Sequence, residues 1–527
     1  MASVFDSVRA DIEFLSRELY TGSEVNSGSL GEVREVERVK GLIESYFNVK
    51  ARTLEVPLLT WRLKHLSLEP KPEAYATAPY VESSTVEAAW FKVEGDPTKP
   101  RAWKGFPEGR VAIVSEPPNP DDIKFAAIQA AEAGAQALIV ESKVAPRIIV
   151  TNGYTGFNYN VGAPTPIPVI VVEEGYSSRL APHSRVSVSI DATTMDGYGY
   201  TIEAEVPGSS EDFFIVGAHH DRWYGGFSDN VIGLAQAMVT ARILGGHGLT
   251  VKLVSFTAEE YGAPGYASWY WAWGSRFYSK QLRESRVLES AALHINYDMA
   301  SIPPLRVSGS PQYVGLVRSD STERCCECAE CDSFSLASTG VPTICMHSLW
   351  SPEARALYHT PRDAPDKSDL NVAAKAVVLA VKAALEGPQW DYMKGFLEES
   401  LGKGPLEARR LAYSINALAE RLGWPQVYRE LAPLALKAVH YGSYRGEDAE
   451  LWAAWFPEVT IYLKLLRDLE SGRAPQEVWI AGDEKVLYSL RGPGGKPLNA
   501  KALAQQFKNN MELLWASFEE LQGRLLK

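Results

Sequence analysis

The sequence predicts an α/β protein with a mixed sheet covered by helices, and three observations predict it. Three short apolar runs, Phe213–Gly217, Lys252–Phe256 and Leu293–Asn296, have the length and character of buried strands. Helix-length apolar stretches, Leu234–Leu244 and Lys375–Leu385, alternate with or follow them. Each strand run ends directly in His, Asp or Glu side chains, where ligands bind in open α/β sheets.

The flanking segments have a different texture. Ser7–Val49 reads as two helices around a Gly/Ser-rich turn, with Phe14, Leu15 and Leu19 on one apolar face. Val36, Val39, Leu42, Ile43 and Tyr46 form the other. Between about 52 and 195, short β-like runs stand among prolines and glycines: Val111–Val114, Ala137–Val140, Ile148–Val150 and Val169–Val172. An alanine-rich helix is expected at 123–133. Beyond Gly387-Pro388 the chain reads as helical. Leu503, Phe507, Met511, Leu514, Phe518, Leu521 and Leu525 make a sustained apolar stripe there, suited to a helix bundle, a dimer contact or both.

With 527 residues, 46% hydrophobic and 22% charged, the chain can bury a large core and is expected to form several domains. A net charge of −12 argues against nucleic acid and anionic membrane as partners. There is no apolar run long enough for a membrane span. The first nineteen residues mix charged and apolar positions, unlike the core of a signal peptide, so a cytoplasmic location is expected. Four of the five cysteines, Cys325, Cys326, Cys328 and Cys331, crowd into one run without zinc-ribbon spacing; a local disulfide or reduced thiols are the expected reading.

The chemistry concentrates after the three strands. The first gives His219-His220-Asp221 and then Gly225-Gly226-Phe227-Ser228-Asp229; the second gives Glu259-Glu260; the third gives Asp298. Singly, each has an ordinary explanation, such as a structural histidine, a solvated charge pair or a helix cap. Together they are a nitrogen-and-carboxylate set suited to hydrolytic zinc. A metal pair needs a bridging carboxylate, about two private ligands per ion and a separate proton acceptor. This chain offers candidates for all of them.

At these residues the sequence resembles the zinc exopeptidase family of aminopeptidase Y, glutamate carboxypeptidase II and the transferrin receptor, and is most similar to the last two. His219 and Asp229 stand ten apart, followed in order by Glu259-Glu260, Asp298 and Tyr358-His359-Thr360-Pro361. The resemblance implies two zinc ions. Asp229 would bridge them, His219 and Asp298 would complete one, and Glu260 and His359 the other. It implies Glu259 as general base, Asp221 as the residue holding the His219 ring, and Tyr358 as a hydrogen-bond donor to the tetrahedral intermediate. A cis peptide after Asp229 is a frequent family feature. Gly109 to Val140 and Ile167 to Gly175 look like a protease-associated domain, and Trp223 after Arg222 fits the glutamate carboxypeptidase branch.

The implied organisation is an N-terminal helical part of the peptidase domain (1–52), a protease-associated insert (53–195), the zinc peptidase core (196–388) and a helical, dimerisation-like domain (389–527), giving a homodimer. A peptide substrate is expected. Two exopeptidase readings stand side by side. An aminopeptidase needs an acidic group for the substrate's ammonium. A carboxypeptidase or dipeptidase needs a positive group, for which Arg306 and Arg222 are the candidates. The C-terminal Lys-Tyr pair of glutamate carboxypeptidase is missing, which favours the aminopeptidase. A silent, receptor-like binding protein would carry substitutions at the metal positions, and none is present.

Overall fold

A computed structural model describes residues 2–154, 161–182, 184–317, 322–323, 327–349, 351–443, 447–471, 478–481, 486–489 and 500–527. Cys325 and Cys326 lie outside the described residues.

The opening segment folds as its periodicity predicts, into helices α1 (Ala2–Leu19) and α2 (Leu30–Phe47). Ser29 caps α2 by accepting from Glu32 N–H, and the buried Val36, Val39 and Ile43 face the core. Strands β1 (Ala51–Glu69), β2 (Tyr75–Thr77), β3 (Ser84–Lys92) and β4 (Val111–Ser115) follow. Then come helix α3 (Ile123–Glu132), β5 (Ala137–Ser142), the short pair β6 (Gly153–Tyr154) and β7 (Gly162–Ala163), β8 (Val169–Glu173) and the long β9 (Arg185–Val206). The run 148–150, expected as a strand, is not one. Its first residue, Ile148, bonds instead to His359, far along the chain, as described below.

The core then builds β10 (Phe213–His219), α4 (Ile232–Gly246), β11 (Thr250–Phe256), α5 (Trp273–Glu284) and β12 (Ala291–Asp298). It continues through β13 (Arg306–Gly309), α6 (Pro311–Val314), β14 (Thr322–Glu323), α7 (Asp332–Ala337), β15 (Thr343–His347), α8 (Pro352–Leu357) and α9 (Leu370–Glu386). Every residue of β10 is buried, as a strand covered on both faces must be.

The strands join one mixed sheet in the order β14-β13-β15-β12-β10-β11-β9-β3-β4-β5-β8-β2. Strand β1 pairs β9 antiparallel from Ala51↔Ala204 to Glu69↔Ser187. Strands β10, β11, β12 and β15 run parallel, so their carboxyl ends open on one edge. One face is covered by α1, α2, α4 and α9, whose Leu15, Val39, Met238 and Val377 share a core with Val216 and Ile295. On the other, Tyr278 and Leu282 of α5 and Leu336 of α7 pack on Ile215 and Phe256. Helices therefore cover both faces, as the alternation predicts.

The C-terminal region contains α10 (Trp390–Gly402), α11 (Leu406–Leu422), α12 (Trp424–Ala435), α13 (Pro457–Glu470) and α14 (Ala500–Leu525). The apolar stripe on α14 is spent inside the chain: Phe507, Met511, Leu514, Phe518 and Leu521 are buried with Leu411, Ile415 and Leu431 of the neighbouring helices. A small sheet, β16 (Leu436–Ser443), β17 (Glu447–Trp455), β18 (Val478–Ala481) and β19 (Val486–Ser489), interrupts what reads as an all-helical region. No helix among the described residues is long and apolar enough to cross a membrane.

Candidate metal centre

Asp229 sits between two groups of side chains. Ligand atoms of His219, Asp229 and Asp298 lie within 4.8 Å of one another, and so do those of Asp229, Glu260 and His359. His219 Nε2 is 3.3 Å from Asp229 Oδ1; His359 Nε2 is 2.8 Å from Glu260 Oε2 and 3.7 Å from Asp229 Oδ2. His219 is delivered by the end of β10, Glu259 and Glu260 by the turn after β11, Asp298 by the end of β12 and His359 by the loop after α8. The separate strand ends thus meet at the open edge of the sheet.

Both histidines have their tautomer set by a main-chain carbonyl. His219 Nδ1–H donates to the Asp221 carbonyl at 2.9 Å, and His359 Nδ1–H donates to the Ile148 carbonyl at 2.8 Å. A carbonyl can only accept, so in the neutral ring each Nε2 is the nitrogen that carries the lone pair, on the side of the carboxylates. The Asp221 carboxylate, expected to hold the His219 ring, stands 3.7 Å from Nδ1 and has other work. It accepts from Ser27 Oγ at 3.0 Å, Glu259 N–H at 3.2 Å and Glu260 N–H at 3.0 Å. Asp221 therefore orients the ring through its main chain and the Glu259-Glu260 turn through its side chain.

The bridging position is held by backbone geometry. Gly226 has φ +45°, and a Cβ there would meet the Asp229 carbonyl oxygen at 2.5 Å. The Asp229–Asn230 peptide is cis, and Asn230 Nδ2 donates to the Tyr297 carbonyl at 2.7 Å. Asp363, which sequence reasoning missed, accepts from Ser228 N–H at 2.9 Å, Ser228 Oγ at 2.6 Å and Asp229 N–H at 3.1 Å. Its position four residues after His359 is the signal that could have found it. Burial pushes its carboxyl up to about 6.

The electrostatics call for cations. Glu259, Glu260 and Asp298 are all 5–7% exposed. Burial, then the neighbouring Asp298, Asp332 and Glu260 carboxylates, outweigh His219 and hold the Glu259 carboxyl well above its usual range. Burial and Asp229 likewise raise Asp298 against the pull of His219. Glu260 is pushed up to about 7, burial again leading. Asp332, at the start of α7, was also missed; burial pushes it up to about 7. Buried carboxylates so placed repel one another unless positive charge is present. His219 Nε2 and Glu260 Oε1 are buried without a hydrogen-bond partner, as atoms awaiting coordination would be. The donor set, two imidazole nitrogens and carboxylate oxygens, fits two zinc ions.

Two arginines were candidates for a substrate carboxylate. Arg222 is 2% exposed and engaged: it pairs with Glu35 at 2.9 Å and donates to the carbonyls of His220 and Ser23 at 3.1 Å. It ties the site to the N-terminal segment and does not face a substrate. Arg306 is half-buried on β13, opposite His347, which is in turn opposite Asp298. The Tyr358 ring stacks on His359 with centroids 3.6 Å apart, and its hydroxyl donates to Asp121 Oδ1 at 3.3 Å.

Residues 201–384, the span holding this centre, match the model of peptidase family M28. The fold is similar to that of solved zinc aminopeptidases. A zinc aminopeptidase from Bacillus subtilis aligns at 17% identity over 73% of this chain and 96% of that one, with a TM-score of 0.56. A peptidase M28 precursor from Shewanella amazonensis aligns at 16% identity over 72% and 92%, also at 0.56. An aminopeptidase from Aneurinibacillus sp. strain AM-1 aligns at 17% identity over 73% and 94%, at 0.50. No curated protein sequence matches the chain.

Proposed function

We propose that the chain is a co-catalytic two-zinc exopeptidase that removes residues from the amino end of peptides. The observation that carries this reading is Asp229 shared by two buried ligand groups, with Glu259 beside them and outside both. In this reading His219 and Asp298 hold one ion, Glu260 and His359 the other, and Asp229 bridges.

When bound, the metal pair would polarise the scissile carbonyl and make a water acidic enough to attack it near neutral pH. Glu259 takes that water's proton and returns it to the leaving amine. Its high proton affinity in this buried setting suits both halves of the task. The Asp221 carboxylate keeps Glu259 and Glu260 in register by holding both of their N–H groups. The Tyr358 ring stacks on His359, and its hydroxyl would turn its proton from Asp121 to the reacting oxygen as charge builds there.

The aminopeptidase reading is favoured over the carboxypeptidase one because Arg222, a candidate for a terminal carboxylate, is committed elsewhere. Two of the three structural neighbours named above are aminopeptidases. The zinc-loaded protein should be offered peptides in free, N-acetylated and C-amidated form. Activity abolished by acetylation and kept on amidation supports the proposal; the reverse pattern overturns it in favour of a carboxypeptidase.

A further inference from the structure

We propose that Arg147, from the 52–195 segment, is a positioning residue of the peptidase centre that holds His359 in its ligating orientation. This rests on the two-zinc reading above. Arg147 is 1% exposed. Its Nε pairs with Glu116 Oε1 at 2.7 Å, just beyond β4 of the same segment. Its Nη1 crosses to the metal-site loop and donates to two carbonyls, Arg355 at 3.0 Å and Tyr358 at 2.9 Å.

The next residue completes the grip. Ile148 N–H donates to the His359 carbonyl at 3.1 Å, and the Ile148 carbonyl accepts from His359 Nδ1 at 2.8 Å. Two consecutive residues thus hold three carbonyls and the ring of the 355–359 loop. His359 has φ +56°, a left-handed conformation that persists in a side-chain-bearing residue only when its surroundings impose it. The planar guanidinium meets the carboxylate with Nε and the two carbonyls with Nη1, a fixed fork that the single nitrogen of an ammonium does not reproduce. The hydrogen bonds of Arg147 go to main-chain carbonyls and not to the metal-ligating atoms, so it acts through His359.

The consequence is asymmetric. His219 is oriented from within the core, by the Asp221 carbonyl, so it owes nothing to Arg147. Loosening the 355–359 loop should weaken only the ion held by Glu260 and His359. Outer hydrogen-bond partners of metal-ligating groups are typically worth about 10–100-fold in affinity.

The test is zinc titration of the full-length protein against a chelator, comparing wild type with Arg147→Lys and with the pair Arg147→Met/Glu116→Gln. Arg147→Lys keeps a charge opposite Glu116 and so keeps the fold, but reaches fewer carbonyls. The paired variant removes the buried charge altogether. The expected result is one zinc weakened about 10–100-fold in the paired variant and less in Arg147→Lys, with the other zinc at wild-type affinity. A general loss of folding would weaken both ions and lower the unfolding temperature of the zinc-free protein. Folded Arg147→Lys that binds both ions like wild type overturns the proposal. Wild type that binds no zinc overturns the metal reading itself.

Discussion

Replacing Glu259 with Gln separates proton transfer from metal holding. The change keeps the side chain's volume. It spares the contacts that fix the turn, because those are main-chain: Glu259 N–H to Asp221, and Ala272 N–H to the Glu259 carbonyl at 2.7 Å. Glu259 belongs to neither ligand group, so both ions should remain. A positioned general base is worth about 10²–10⁴ in rate, or ~2.7–5.5 kcal/mol of barrier. Glu259→Gln should therefore lower kcat on a short peptide by that factor while zinc content stays at two per chain. The zinc-free protein adds an independent check. The folded state holds the Glu259 carboxyl well above its ordinary value, so ionising it costs stability as pH rises. Zinc-free Glu259→Gln should then unfold at a higher temperature than zinc-free wild type at pH 8, with the gap closing toward pH 4. Zinc-loaded Glu259→Gln with more than a tenth of wild-type kcat would refute the general-base role.

The remaining predictions use the same logic. Asp229→Ala should lose both ions, whereas Asp298→Ala should lose one; two-zinc stoichiometry in Asp229→Ala, measured by elemental analysis, would refute the bridge. Tyr358→Phe should lower kcat several-fold at unchanged zinc content, whereas Asp121→Ala, which frees the Tyr358 proton from its present acceptor, should not lower it. Equal kcat in Tyr358→Phe and wild type would remove Tyr358 from the mechanism. Glu327 is buried against Ser310 and Thr343, with its carboxyl pushed up to about 8 by burial. Its neutral form is favoured in the fold, so stability is lost as pH rises from its ordinary value through 8. Glu327→Gln should relieve a penalty of up to ~3 kcal/mol at pH 7 and essentially none at pH 4, read from denaturant midpoints.

The core was legible because parallel strands buried on both faces leave uninterrupted apolar runs, and because ligand positions follow directly on those runs. His219, Glu260, Asp298 and His359 are brought together around Asp229 from four separate stretches. What was not legible depends on tertiary pairing. Ile148–Val150 is apolar and β-branched, yet Ile148 bonds to His359 in a distant loop and not to a neighbouring strand. Glu447–Trp455 is rich in Ala, Glu and Leu, which favour helix, but it pairs with Leu436–Ser443 as a strand, context overriding propensity. Asp332 carries no pattern of its own; only the fold shows what it faces.

The long ladder between β1 and β9 bears on where this chain can be cut. Excising residues 53–195 at their apparent boundaries would remove nearly all of β1 and the first half of β9. What remained of β9 pairs with β11 on one side, through Ile202 to Val206, and would lose its partners on the other, where Thr53 to Val56 now pair with Gly199 to Ile202. A row of main-chain donors and acceptors would then lie open to any strand that came by, which is how sheets of separate molecules join. Residues 53–195 thus double as a seam that keeps the parallel half of the sheet from finding a neighbour.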